Sequence, residues 1–173
     1  MIGKTPDGRA AALLFIATLV SSMIGIFAAI FYLFVNIDLS IRIAAAVMVG
    51  VAGVLSFLRH SIYYRSDQIR MGWRQEHPEF QLEVGYANLA IGIGALLAAV
   101  LGWGALACGM MLLVYGLYLL CAVCLHAWEA IHVQELRHRA TRSAFDTGLF
   151  VVFLLLFAVI AFGEAGLVPG IGI

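Results

Sequence analysis

The sequence predicts an all-α integral membrane protein with five transmembrane helices in one bundle, the N-terminus in the cytoplasm and the C-terminus outside. Hydrophobic residues make up 64% of the 173 residues and charged residues 12%, and the mean hydropathy is +1.03. The 45 residues from Val84 to Trp128 include no Asp, Glu, Lys or Arg. One crossing takes about 20 apolar residues, so this run is long enough for two.

The same properties indicate one domain over residues 1–173 and exclude several classes of function. The formal net charge is zero, so no nucleic-acid partner is expected. The sequence contains no phosphate-binding glycine loop and no nucleophile–base motif, which argues against an enzyme. The expected surroundings are the lipid bilayer of a bacterial-type cytoplasmic (inner) membrane, crossed several times.

The first two predicted helices cover about residues 10–35 and 41–58. The first contains no charged residue at all. The second has 16 uncharged residues between Arg42 and Arg59, which is short for a crossing. Arginine side chains at both ends can reach the lipid headgroups, so we predict that this segment still spans.

A basic segment follows the second helix, at about residues 61–74. Its apolar residues can face the membrane while Arg65, Arg70 and Arg74 contact anionic headgroups. We therefore predict an amphipathic segment on the cytoplasmic surface.

The long uncharged run predicts a helical hairpin, with helices at about residues 84–101 and 105–128. The Gly-Trp-Gly sequence at residues 102–104 is the break between them. A fifth helix is predicted at about residues 147–167, because 17 uncharged residues follow Asp146.

The basic residues predict the orientation of the bundle. Five crossings place the N-terminus and the loops at residues 59–83 and 128–146 on one side of the membrane. Arg42 is the single basic residue on the other side. The first side holds the other nine, and such a bias marks the cytoplasmic side; these are Lys4, Arg9, Arg59, Arg65, Arg70, Arg74, Arg137, Arg139 and Arg142.

Small residues predict how the helices pack, because close backbone approach drives helix association in lipid. In the third predicted helix they recur every three or four positions around one asparagine, at Gly85, Asn88, Gly92, Ala95 and Ala99. The fourth helix has two that lie seven apart, Gly109 and Gly116. We expect the second, third and fourth helices at the centre of the bundle and the first and fifth toward lipid.

Several polar side chains are predicted to lie at the cytoplasmic boundary: His60, Glu83, Asn88, His126 and Glu129. Such a group can bind a metal through His60, His126 and Glu83, or a haem, or the headgroup of a quinone or lipid. The alternative is that they are polar because the interface is solvated, with Asn88 forming a hydrogen bond between helices.

One run of residues resembles a known family. It comprises Phe57-Leu58-Arg59-His60, then Asp67, Gly72-Trp73, and Phe-Gln-Leu-Glu-Val-Gly-Tyr-Ala-Asn-Leu at residues 80–89. This pattern resembles small, mostly bacterial membrane proteins that share a domain of unknown function, over roughly residues 50–135. The resemblance implies no activity, but it favours five residues as functional candidates: His60, Glu83, Gly85, Asn88 and His126.

Three functions remain open at this stage. A membrane protein that binds a small molecule, a lipid or quinone, or a metal or haem accounts best for the polar residues. A structural or assembly subunit of a larger membrane complex, or a homo-oligomer, suits the small size and the small-residue seam. A small transporter or channel is the third, although the helices show no chain of ionisable groups for conduction.

Overall fold

The structure is a computed structural model that describes residues 7–72 and 78–168, and within those ranges it contains helices and no strand. Apart from a short 3-10 turn at Gln134–Leu136, the described residues form six helices: α1 (Arg9–Leu33), α2 (Ile37–Ile62), α3 (Tyr64–Met71), α4 (Glu79–Val100), α5 (Ala105–His132) and α6 (Arg137–Glu164). All except α3 are long and apolar enough to cross a membrane. The prediction of an all-α chain with five such helices is confirmed.

Several helices extend beyond the predicted crossings. α4 begins at Glu79 rather than near residue 84, α6 begins at Arg137 rather than near residue 147, and α5 continues to His132. The apolar pattern marks the stretch that suits hydrocarbon. Polar residues outside it continue the same helix, because backbone hydrogen bonding does not stop at the membrane boundary.

Part of the predicted amphipathic segment is the separate helix α3. It ends at Gly72, whose φ of 68° is a left-handed conformation that glycine adopts without strain. Ile62 and Ile69 are exposed, as expected for side chains that meet lipid. Trp73 and Arg74, at the end of the predicted segment, lie outside the described residues, and so does Lys4.

Helix α2 is not a uniform α-helix. Its hydrogen bonding is π-helical over Ala44–Val51 and again over Leu58–Ile62. Such turns are rare and occur frequently at functional sites. The second stretch carries Arg59 and His60, so their side chains do not point where a regular α-helix would direct them.

Helices α2 and α4 cross closely through glycines. A Cβ on Gly53 would lie 2.6 Å from the Asn88 carbonyl oxygen and 2.9 Å from Gly92 Cα. A Cβ on Gly85 would clash with Ser61 Oγ. The predicted seam therefore lies against α2 at these positions, and all five of its members are buried: Gly85, Asn88, Gly92, Ala95 and Ala99.

Helix α5 packs mainly against α6, which differs from the expected arrangement. Gly109 lies against Ala161, and Gly116 mainly against Leu155. One face of the fifth predicted helix is covered, where Leu154, Phe157 and Ala161 have no exposed surface, and Val152 and Leu156 are exposed on another. The expectation that this helix faces lipid stays a prediction for the exposed face. The apolar composition of α6 suits lipid and a helix interface equally well. In contrast, α1 is the least covered crossing, with 17% of its most apolar stretch buried.

The two ends of the bundle differ in their number of arginines. At one end, Arg42 Nε donates to the carbonyl of Ala99 at 2.8 Å and joins the start of α2 to the end of α4. At the other end, Arg139 donates to the carbonyl of Met71 and joins α6 to α3. We call this second end the basic end, because it carries the other described arginines: Arg9, Arg59, Arg65, Arg70, Arg137, Arg139 and Arg142.

Candidate functional site

A carboxylate with no exposed surface lies at the basic end. Asp67 is on α3, and its side chain is 0% exposed. Its neighbours come from α3 itself, from the end of α2, which directly precedes α3, and from Gln81 near the start of α4. A buried charge is costly unless it is paired and hydrogen-bonded, so the surroundings of Asp67 decide what it does.

Four side chains surround the Asp67 carboxylate. Arg70 contacts Oδ1 through Nε and Nη2, each at 3.0 Å, and Arg59 Nε lies 3.8 Å from the same oxygen. On the other oxygen, Oδ2, Gln81 Nε2 donates at 3.2 Å and His60 Nδ1 lies at 2.8 Å. We call these five residues the Asp67 cluster. It joins α2, α3 and α4.

The protonation of His60 follows from its neighbours. Arg59 Nη2 lies 2.8 Å from His60 Nε2, and a guanidinium can only donate, so Nε2 accepts and the proton is on Nδ1. The Nδ1–H faces Asp67 at short distance but is not aligned with Oδ2 as in a linear hydrogen bond. Because both ring nitrogens are engaged, His60 presents no free lone pair to a metal or a haem iron.

The Asp67 cluster has a surplus of positive charge. Arg59 and Arg70 each carry one positive charge, His60 is neutral in the tautomer above, and Asp67 supplies the one carboxylate among the described neighbours. The ring of Phe15 lies 5.4 Å from the Arg59 guanidinium carbon and 4.8 Å from that of Arg70. An aromatic face attracts cations but does not neutralise them.

The electrostatics of Asp67 agree with this geometry. Burial by itself would raise the pKa of Asp67. The contact with His60 and the positive charges of Arg59 and Arg70 outweigh burial and hold the pKa below its ordinary value. Asp67 is therefore ionised at neutral pH and is fully committed to its partners.

Three buried polar atoms of the cluster form no hydrogen bond with the described residues: Arg59 Nε and His60 Nδ1, which both face Asp67, and Gln81 Oε1. Gln81 is only 2% exposed, and its Oε1 accepts no hydrogen bond from the described residues. Its amide nitrogen is engaged with Asp67, so the free oxygen faces away from that carboxylate. A buried carbonyl without a donor is costly and calls for a ligand or water.

A second polar group lies deeper, where α4 meets α5. Asn88 Nδ2 donates to the Tyr118 hydroxyl at 3.0 Å and to the carbonyl of Val84 at 2.8 Å. The Tyr115 hydroxyl donates to Asn88 Oδ1 at 3.2 Å. The Asn88 amide thus bonds to two tyrosines of α5 and to its own helix, so we assign it to packing between α4 and α5.

The predicted site residues fall in separate places. His60 belongs to the Asp67 cluster, Asn88 to the α4–α5 contact, and Glu83 is exposed on α4. His126 and Glu129 form a pair on α5, with Nδ1 and Oε2 3.1 Å apart. Within residues 7–72 and 78–168, no three His, Cys, Asp or Glu side chains form a group that could hold a metal. The structure therefore does not assemble His60, His126 and Glu83 as metal ligands.

Four members of the Asp67 cluster were missed by the search for polar residues in apolar runs: Arg59, Asp67, Arg70 and Gln81. Each lies outside a predicted crossing, where charge is expected and draws no attention. A signal was present in the family resemblance, since Arg59, His60, Asp67 and Gln81 all stand in the quoted pattern.

Comparison with known proteins gives a family and no activity. No curated protein and no solved structure matches the chain. The resemblance to a family of unknown function is confirmed, and the match extends into the first and last helices. The family model of DUF6790, a family of unknown function, matches residues 9–165, and the chain belongs to that family.

Proposed function

We propose that this protein crosses the cytoplasmic (inner) membrane five times, with its N-terminus in the cytoplasm and its C-terminus outside, and binds the anionic headgroup of a membrane lipid in the Asp67 cluster. Five long apolar helices support the multi-pass arrangement. The concentration of arginine at the basic end supports the orientation, because cytoplasmic loops carry an excess of Lys and Arg.

The observation that carries the binding function is the charge of the cluster. Two guanidinium groups, on Arg59 and Arg70, share one buried carboxylate. Their side chains are 13% and 21% exposed, so they are largely shielded from solvent ions and yet reachable from the surface. A phosphate diester supplies the missing negative charge and accepts the charge-assisted hydrogen bonds that guanidinium groups form best.

The position of the cluster favours a lipid over a free anion. It lies where α2 leaves its membrane-length apolar stretch, next to Phe15 of α1. Ile62 and Ile69, on either side of Asp67 in the chain, are 58% and 50% exposed. A ligand with a charged headgroup and apolar tails matches both the arginines and this apolar surface.

Retention of lipid through purification tests the proposal. The protein is extracted in a mild detergent, and native mass spectrometry identifies and counts the phospholipids that remain bound. We expect acidic phospholipid on the wild type and several-fold less on Arg59→Gln and on Arg70→Gln. Arg65→Gln is the matched control, because it removes the same charge from an exposed position on α3.

Two outcomes would contradict the proposal. One is a wild-type protein that retains no acidic lipid above its share in the membrane. The other is equal loss of lipid in all three arginine variants, which would indicate a diffuse charge effect. Thermal unfolding of each variant identifies any variant that has lost its fold. If Arg70→Gln has lost it, Arg70→Lys, which keeps the charge, is measured in its place.

A further inference from the structure

The unpartnered oxygen of Gln81 gives information about the ligand beyond its charge. Gln81 Oε1 is buried and needs a hydrogen-bond donor. The phosphate of a headgroup, once ionised, has only acceptors to offer. A ligand that completes the cluster therefore carries a donor in addition to its phosphate.

Resting on the proposed function, we infer that the headgroup is a hydroxylated phosphate ester, of the kind in which a glycerol or another polyol follows the phosphate. The phosphate meets Arg59 and Arg70, and a hydroxyl of the polyol donates to Gln81 Oε1. An ammonium group is the other common headgroup donor, but two guanidinium groups in the same cluster would repel it. A hydroxyl donates without adding charge.

The cluster is arranged for two different groups of one ligand. Arg59 and Arg70 approach Asp67 from the side of Oδ1, whereas Gln81 is bound to Oδ2. The cationic and the accepting parts of the site therefore lie on different sides of the Asp67 carboxylate. One ligand meets both parts only if its phosphate and its hydroxyl are separate groups, as they are in a polyol ester.

A pair of lipids isolates the hydroxyl. Phosphatidylglycerol and phosphatidylmethanol are both phosphate diesters with one negative charge, but only the first has headgroup hydroxyls. The purified protein is placed in phosphatidylcholine nanodiscs with each lipid in turn, and binding is measured by native mass spectrometry. We expect a preference of about five- to tenfold for phosphatidylglycerol, the size of one ordinary hydrogen bond.

The Gln81→Met variant assigns the preference to one residue. Methionine has a similar length and a much weaker acceptor, so the preference for phosphatidylglycerol should fall to near one. Thermal unfolding shows whether the variant is folded, and the ratio of the two lipid affinities is the readout. If Gln81→Met is unfolded, Gln81→Leu, which also has no acceptor, takes its place, and the preference should again fall to near one.

The outcomes separate the two proposals. Equal binding of both acidic lipids by the wild type would overturn the inference and leave the proposed function intact. If the wild type binds neither acidic lipid more strongly than phosphatidylcholine, both the inference and the proposed function are overturned. A preference that survives in Gln81→Met would remove Gln81 from recognition of the hydroxyl. Displacement of the lipid by excess sn-glycerol 3-phosphate would identify a soluble ester as the occupant, and resistance to it supports a lipid.

Discussion

Asp67 shows how strongly single residues act in this protein. It is a fully buried charge whose partners come from α2, α3 and α4. Pairing of this kind contributes modestly to stability when it is complete, but its loss is severe, because the remaining charges stay buried without a counterion.

Replacing Asp67 with Asn should therefore destabilise the protein by about 3–5 kcal/mol. The variant leaves the guanidinium groups of Arg59 and Arg70 facing each other. Equilibrium unfolding in mixed micelles, followed by circular dichroism, measures the change in the free energy of unfolding. Asp38→Asn is the control, since its ion pair with Arg42 is largely exposed, and it should cost about 1 kcal/mol or less. Equal effects of the two substitutions would contradict the importance of burial.

The stability difference between wild type and Asp67→Asn should also depend on pH. The groups that face Asp67 are Arg59, His60, Arg70 and the neutral Gln81, and they hold its pKa below the ordinary value of about 3.9. The carboxylate thus stabilises the fold above about pH 4, and this contribution disappears as the pH falls through the folded-state pKa. We expect a constant difference from about pH 7 to 5 that shrinks below about pH 4. A difference that already shrinks between about pH 7 and 5 would mean that another group titrates.

Sequence reasoning found one member of the Asp67 cluster, His60, and missed the carboxylate at its centre. His60 stands out because it directly follows an apolar run. Asp67 lies in a polar stretch of α3, so the sequence predicts that its side chain is exposed to solvent. Asp67 is buried because of the face that α3 turns toward α2 and α4. The sequence of α3 alone does not determine which face that is.

At the level of helices, the α2–α4 crossing depends on the absence of side chains. Gly53 and Gly92 bring two backbones together, and the carbonyl of Asn88 lies opposite Gly53. This region could be predicted in part: the spacing of small residues identified the buried face of α4. The partner of Gly109 and Gly116 could not be predicted, because a glycine stripe can pack against any helix with side chains of suitable size. Here α6 supplies Ala161 and Leu155.

Gly53→Ala should separate α2 from α4 and destabilise the protein by about 1–3 kcal/mol, since the new Cβ meets backbone atoms that cannot rotate away. Gly148→Ala is the matched control within α6. Its Cβ would lie 3.9 Å from Val123 Cγ1, an ordinary contact, so we expect a neutral effect or a gain of up to about 1 kcal/mol. Thermal unfolding in one detergent compares the two, and a tolerated Gly53→Ala would show that the helices cross less closely than described.

Charge and hydropathy predict the layout of the whole molecule better than they predict the surroundings of any single residue. Five helices are long and apolar enough to cross a membrane, and every described arginine except Arg42 lies at the basic end, and the proposed layout follows from these two observations. These are sums over many side chains, so an error at one position changes little. The candidate site depends instead on how three short stretches of α2, α3 and α4 meet, so it is not an average over many side chains.

The orientation has a direct test. A fluorescent protein attached to the N-terminus should fluoresce, because it folds in the cytoplasm. A phosphatase that is active only outside the cytoplasm should be active when it is attached to the C-terminus and inactive when inserted at Gln134, between α5 and α6. The reverse pattern would invert the proposed topology and move the Asp67 cluster to the outer leaflet.

The π-helical turn at Leu58–Ile62 has a consequence for relatives of this protein. A π turn closes its hydrogen bonds one residue later than an α turn, so removal of one residue there restores a regular α-helix. The part of the chain beyond the turn keeps its direction, because the wider π turn had absorbed the extra residue, and only the residues inside the turn change the direction in which they point. A homologue that lacks one position in this turn would form the same helices with Arg59 and His60 facing elsewhere. Insertions and deletions at this point, more than substitutions, should therefore separate family members that have the Asp67 cluster from those that do not.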